Sequence, residues 1–241
     1  MASKILLFDG IDGVSAAGAD LFVRICRESI AARGRFNVAL SGGSTPKLMF
    51  ELLASDRYRN EIDWPKVQVF WSDERYVPPT EGQSNEHMAR TALLDSVPIP
   101  SERIHGMFTE GGVEAAAATY ERLIVSELGA DLALDLTFLG IGPDGHTASL
   151  FPGEPAVHEK RRLVVAGIGH AGVAERITMT PLLLNRSRLV AFLVAGVDKA
   201  EPMNRVLNGA EEWDKTPSQA VARHAENVIW LLDGPASALL G

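Results

Sequence analysis

The sequence predicts an α/β protein with a mainly parallel sheet covered by helices on both faces. Short, continuous apolar runs recur along the chain, the pattern of strands buried on both sides. Segments with helical apolar spacing alternate with them. Apolar residues make up 46% of the 241 residues, enough for a large core and too many for a disordered chain. The most linker-like stretches, 78–84 and 110–112, are short, so residues 1–241 are expected to form a single domain.

Taken in order, Ile5 to Phe8 reads as the first strand. Asp12 to Arg33 is helical, with Leu21, Phe22, Ile25, Cys26 and Ile30 on one side and Gly34 as its C-terminal cap. Phe36 to Leu40 is a second strand, ending at Ser41-Gly42-Gly43-Ser44-Thr45-Pro46. A helix follows over Lys47 to Leu53, with Thr45 as N-cap and Pro46 at the first helical position. Val67 to Trp71 is a third strand, Tyr76 to Ser84 a loop, and Asn85 to Leu94 a helix. A short strand is expected at Ile104 to Met107, a helix at Val113 to Leu128 and a central strand at Leu132 to Leu139. Leu163 to Ala166 and Arg176 to Met179 are further strands. Thr180-Pro181 opens a short helix, and Leu189 to Val194 is a strongly β-prone run. Gly196 to Lys199 leads into a helix reaching Leu207. Val228 to Leu232 is the last strand, with a closing helical turn at Pro235 to Leu240.

Three polar segments directly follow apolar strands: Ser41 to Thr45, Ser72 to Arg75, and Gly140 to Ser149. In a parallel sheet they open on one edge, where ligands of open α/β sheets bind. Gly42 and Gly43 allow close approach of a ligand to the backbone. The next helix aims free N–H groups at the same place, and Ser44 and Thr45 add hydroxyls. This is an anion seat or a plain strand–helix connection. It has neither the Walker nor the dinucleotide glycine spacing, so no nucleotide is indicated. Arg75, Arg176 and Lys199 are the candidate cations, or else solvated surface charges. Lys199 stands near a helix N-terminus, where the helix dipole disfavours it unless an anion is near.

The third segment follows the central strand with four glycines and two prolines between Gly140 and Gly153. Asp144 and His146 stand two residues apart in it. An imidazole with a carboxylate at hand is the equipment of general-base chemistry, although a Gly-rich turn with a solvated histidine has the same sequence. Asp144, or Asp73 from the neighbouring segment, is placed to orient the ring. Arg75 is placed to face charge developing on a carbonyl oxygen, or to bind an anionic group of the substrate. No G-x-S-x-G elbow is present, and the six histidines are scattered without a metal-ligand pattern. No metal and no cofactor are expected, and direct attack by water is the economical chemistry.

The charge balance is 23 basic against 31 acidic residues, a net −8. That argues against a nucleic-acid partner but leaves room for a small anionic substrate held by local donors. Cys26 is the only cysteine, so no internal disulfide is possible. The N-terminus lacks a signal peptide's apolar core, and no run has a membrane span's length. A soluble cytoplasmic protein without membrane or nucleic-acid partner is expected, as a monomer or weak homodimer.

Taken together, Ser41-Gly42-Gly43-Ser44-Thr45-Pro46, Trp71-Ser72-Asp73-Glu74-Arg75, Ser84-Asn85 and the run from Gly142 to Gly153 resemble the 6-phosphogluconolactonase family. The similarity runs from Phe8 to about Asp233. The first motif is shared with a wider superfamily that includes glucosamine-6-phosphate deaminases. The resemblance implies a Rossmann-like three-layer α/β/α sandwich without a dinucleotide. It implies hydrolysis of 6-phospho-D-glucono-1,5-lactone in the oxidative pentose phosphate pathway, with His146 as general base and Asp144 and Asp73 nearby. Gly43, Ser44, Thr45, Arg176 and Lys199 would hold the phosphate, with Arg75 in the pocket. The deaminases read G-H-x-A-F-N-E-P-G where this chain has Gly145 to Gly153. Phe151 takes the place of their glutamate and cannot carry a proton, which fits a reaction without ring isomerisation or ammonia release.

Overall fold

The computed structural model describes residues 2–170, 172 and 174–241. Its strands are β1 (Ala2–Phe8), β2 (Phe36–Leu40), β3 (Val67–Trp71), β4 (Asp73–Arg75), β5 (Leu136–Leu139), β6 (Val164–Ile168), β7 (Glu175–Met179), β8 (Val190–Val194) and β9 (Asn227–Asp233). Its α-helices are α1 (Gly10–Arg33), α2 (Ser44–Ala54), α3 (Asp56–Arg59), α4 (Asn85–Ala92), α5 (Val113–Leu128), α6 (Pro181–Leu184), α7 (Ala200–Asn208) and α8 (Gln219–Ala222).

Six strands form one parallel sheet in the order β1-β9-β8-β5-β2-β3. The strands β2, β3, β5 and β8 are buried at every position, which is why they read as unbroken apolar runs. Helices cover both sides: α1 packs on α2, and α2 on α4, while α7 and α6 both touch α8. The interior is dominated by large side chains such as Phe22, Phe36, Phe70, Phe138, Phe192 and Trp230. Phe192 and Trp230 stack at 4.2 Å across β8 and β9.

From β2 the chain steps outward to β3. It then crosses back to β5 on the other side of β2 and steps outward again to β8 and β9. The direction of winding therefore reverses between β2 and β5. Such a reversal opens a crevice beyond the carboxyl ends of the strands.

The remaining strands form a separate antiparallel sheet, β4-β7-β6. Ser72 joins the two sheets: its N–H donates to the Leu40 carbonyl (2.9 Å), and its own carbonyl accepts from the Met179 N–H (2.8 Å). The expected strands at 163–166 and 176–179 thus lie outside the main sheet. The segment 72–75, read from sequence as a polar connection, contains a strand whose partner is supplied by tertiary structure.

Other boundaries differ for local reasons. The central strand begins at Leu136 rather than Leu132. Leu132 has a left-handed backbone, φ 46°, and the Asp135 side chain is occupied with the Asn37 N–H and with Arg33. Ile104 makes only a single bridge to Val69, so no strand forms at 104–107. Helix α2 starts at Ser44 with Gly43 as its N-cap. Thr45 is therefore inside the first turn rather than capping it. The cap has φ 112°, a conformation that favours glycine over threonine. Helix α8 was not expected: it is a single turn, and its N-cap Ser218 makes no side-chain capping bond.

Candidate active site

The carboxyl ends of β2, β3, β5 and β8 converge on one cavity of about 290 Å³. Ser41, Gly42 and Gly43 line it after β2, and Asp73 and Arg75 after β3. Gly140 to Pro143, His146 and Ala148 follow β5, and Lys199 comes after β8. Asn85 opens α4 at the same wall.

The loop after β5 is tied to itself. The Gly142 N–H donates to the His146 carbonyl and the Gly145 N–H to the Gly142 carbonyl, both at 2.9 Å. The Thr147 hydroxyl donates to the Gly140 carbonyl at 2.8 Å. These bonds bring the Asp144 carboxylate to His146 Nδ1 at 2.6 Å, and the same oxygen accepts the His146 backbone N–H at 3.1 Å. With Nδ1 engaged, Nε2 is the ring nitrogen left for a ligand. Burial works against the Asp144 charge, but the hydrogen bonds and charge of His146 outweigh it and bring the carboxyl down to about 2. A Cβ on Gly142 would come within 2.1 Å of both Cε1 and Nδ1 of the imidazole. Glycine at this position is what makes room for the ring.

Asp73 is almost fully buried and makes different contacts. It accepts from the Ser149 hydroxyl at 2.6 Å, and more distantly from Ser72 at 3.4 Å. Asp144 is thus the aspartate hydrogen-bonded to the imidazole, while Asp73 lines the same cavity without bonding to the ring.

Between Asp73 and Arg75, Glu74 points away into the protein. Its carboxylate accepts from the N–H groups of Arg75, Asn85 and Glu86 and from the Ser84 hydroxyl, at 2.7–2.9 Å. It neutralises the free amides that begin α4. Burial pushes the Glu74 carboxyl up, and these four donors oppose the shift. The clamp fixes Asn85, whose side-chain amide donates to the Asp73 carbonyl at 3.0 Å. A Cβ on Gly42 would strike the Asn85 side-chain oxygen at 2.0 Å, so the two loops meet face to face.

Of the expected anion-binding groups, Gly42, Gly43, Arg75 and Lys199 line the cavity. Ser44 and Thr45 are in the first turn of α2, Ser44 exposed and Thr45 buried. Lys199 is the residue before α7, and its ammonium pairs with Asp198 at 2.7 Å. Arg75 donates to the Gln83 carbonyl. Arg176 does not line the cavity. It stands opposite Arg75 in the β4–β7 register and is 5% exposed. Burial, then the adjacent Arg75 charge, hold its guanidinium below the ordinary value, while Asp73 and Glu74 act the other way.

Asn85 and Ser149 lie in the motifs of the family resemblance, but sequence reasoning gave neither a role in the site. Each is a polar residue next to a glycine-containing loop, a common pattern. Only the fold shows that one abuts Gly42 and the other holds Asp73. A larger recess of about 550 Å³ opens among Lys4, Arg24, Arg33, Asp135 and Arg188, at the other end of the strands. Its arginines are paired with carboxylates, and it contains no histidine.

Residues 11–230 match the family model described as glucosamine-6-phosphate isomerases/6-phosphogluconolactonase. A 6-phosphogluconolactonase of Synechocystis sp. is 42% identical over 87% of this chain and 86% of its own length. One of Mycobacterium tuberculosis is 37% identical, covering 100% of this chain and 99% of its own. Among solved structures, a 6-phosphogluconolactonase of Trypanosoma brucei superposes with a TM-score of 0.87 at 26% identity, over 100% of this chain and 99% of that one. The parallel sheet, its crevice and these matches agree that the chain belongs to the glucosamine-6-phosphate isomerase/6-phosphogluconolactonase family.

Proposed function

We propose that this protein is a lactonase that hydrolyses 6-phospho-D-glucono-1,5-lactone to 6-phospho-D-gluconate in the oxidative pentose phosphate pathway. The observation that carries the reading is a single cavity holding an imidazole bonded to a carboxylate, a glycine turn at a helix N-terminus, and two cations. The relatives' names supply the substrate.

In this reading the phosphate rests on the amides and hydroxyls of Gly42, Gly43, Ser44 and Thr45 and on Lys199. Arg176 adds positive charge from the β4–β7 pair. The lactone C1 then lies beside His146. Nε2 removes a proton from water as the water oxygen bonds to C1, and Asp144 stabilises the imidazolium. Arg75 faces the negative charge on the carbonyl oxygen. Collapse of the tetrahedral intermediate breaks the bond from C1 to the ring oxygen, which takes the proton back from the imidazolium. The new carboxylic acid loses its proton to solvent. Asp73, held by Ser149, accepts from a sugar hydroxyl.

One chain supplies every group in this scheme, which is consistent with action as a monomer or weak homodimer in the cytoplasm. The test is a coupled assay on freshly prepared lactone, corrected for spontaneous opening. Hydrolysis well above the uncatalysed rate is expected. Binding without acceleration would point to a sugar-phosphate sensor, and ammonia release from glucosamine 6-phosphate to a deaminase. Either result would overturn the proposal.

A further inference from the structure

The catalytic loop does not end at the imidazole. Thr147 and Leu150 form an antiparallel bridge, closed by the Leu150 N–H donating to the Thr147 carbonyl at 3.0 Å. The turn passes through Ala148, whose φ of 48° is the left-handed region rarely adopted by a residue with a side chain. It sends the chain back on itself and lays Phe151 against His146, with ring centroids 4.4 Å apart and planes inclined by 38°. Phe151 is 7% exposed. Its ring also meets His170, at 4.9 Å and 32°. His170 in turn reaches Glu154 at 3.5 Å. Phe151 therefore lies between two imidazoles, one in the cavity wall and one nearer solvent.

The Asp144 bond alone does not fix the imidazole. A ring held at one nitrogen can still rock about that contact, and each rocking motion moves Nε2. A second contact through the ring face removes that freedom. The close-packed edge or face of an aromatic neighbour suits an imidazole and its cation alike. Its apolar surface also keeps that side of the base dry. The geometry points to Phe151 as a positioning residue for the reaction. It holds the His146 ring so that Nε2 faces the water and C1, and it touches no reacting atom itself. His170 backs the phenyl ring and limits its swing.

This rests on the lactonase reading for its kinetic consequence but not for its structural one. Two readouts therefore accompany each other in Phe151→Leu and Phe151→Tyr. The first is the His146 ring C–H resonance, assigned by comparison with His146→Ala. In the unaltered protein the phenyl ring current should displace it, the rings being 4.4 Å apart. The displacement should persist in Phe151→Tyr and disappear in Phe151→Leu. The second is steady-state kinetics on the fresh lactone. Phe151→Leu should lower kcat by about tenfold to a hundredfold, the scale expected for a misplaced catalytic group, with KM within about twofold. Phe151→Tyr should recover most of the loss. If Phe151→Leu unfolds, Phe151→Met replaces it with the same expectation.

Loss of the ring-current displacement with unchanged kcat overturns the positioning role. So does a defect confined to KM, or a kcat defect equally large in Phe151→Tyr. If the unaltered protein does not hydrolyse the lactone, the proposed function fails while the resonance still reports whether the phenyl ring holds the imidazole.

Discussion

At the level of single residues, the consequential contact is the 2.6 Å bond between His146 Nδ1 and Asp144. It makes Asp144, and not Asp73, the aspartate bonded to the imidazole, a choice open in the sequence because both follow strands on the same edge. If Nε2 is the base, His146→Ala should lower kcat by about 10²–10⁴-fold and leave KM nearly unchanged in the lactone assay. The pair also has a pH signature. The folded Asp144 carboxyl sits at about 2, below its ordinary 3.8, so folding favours the ionised form. Its stabilising contribution is complete above about pH 4 and is lost as the pH falls through about 2. Melting temperatures measured between pH 2 and 6 should fall less steeply on the acid side for Asp144→Asn than for the unaltered protein. The side chain is partly exposed, so solvent moderates the effect.

Among elements, the loops after β2, β3 and β5 are held by glycines and by one buried carboxylate. Gly142→Ala places a methyl where the imidazole lies and should reduce kcat as severely as loss of His146 itself. Steady-state kinetics beside a near-native circular dichroism spectrum would check this. Glu74→Ala leaves the amides of Asn85 and Glu86 and the Ser84 hydroxyl without their acceptor. A loss of about 3 kcal/mol is expected, measured by denaturant unfolding. Strands such as Val67–Trp71 and helices such as Val113–Leu128 were legible because burial or amphipathic spacing marks them directly. The strand Asp73–Arg75 was not. Three charged residues have little strand preference, and only pairing with β7 makes them one. The same holds for the first residues of the central run. There the apolar pattern continues through Leu132 and Leu134 but the pairing does not, since Asp135 is claimed by Arg33 and by the Asn37 amide.

For the molecule as a whole, function follows from the order in which strands are laid down. Reversal of winding between β2 and β5 opens the crevice, and the small antiparallel sheet carries Arg75, which lines it, with Arg176 across the register from Arg75. The three polar segments after strands were expected from the sequence to open on one edge of the sheet. Their meeting in one cavity is a property of the sheet order, which composition and periodicity do not encode. The position of Arg176 shows the same limit: an arginine in an apolar strand signals a needed partner, but not that another arginine lies across the register.

The central claim is that one cavity seats a sugar's phosphate at the Gly42–Gly43 turn and its C1 at His146. A crystal structure with 6-phosphogluconate bound measures this most directly. The phosphate should lie within hydrogen-bonding distance of the Gly43 and Ser44 amides and of Lys199, with the C1 carboxylate beside His146 Nε2. Density for the phosphate in the recess around Arg33 and Arg188, or a carboxylate pointing away from the imidazole, would contradict the account.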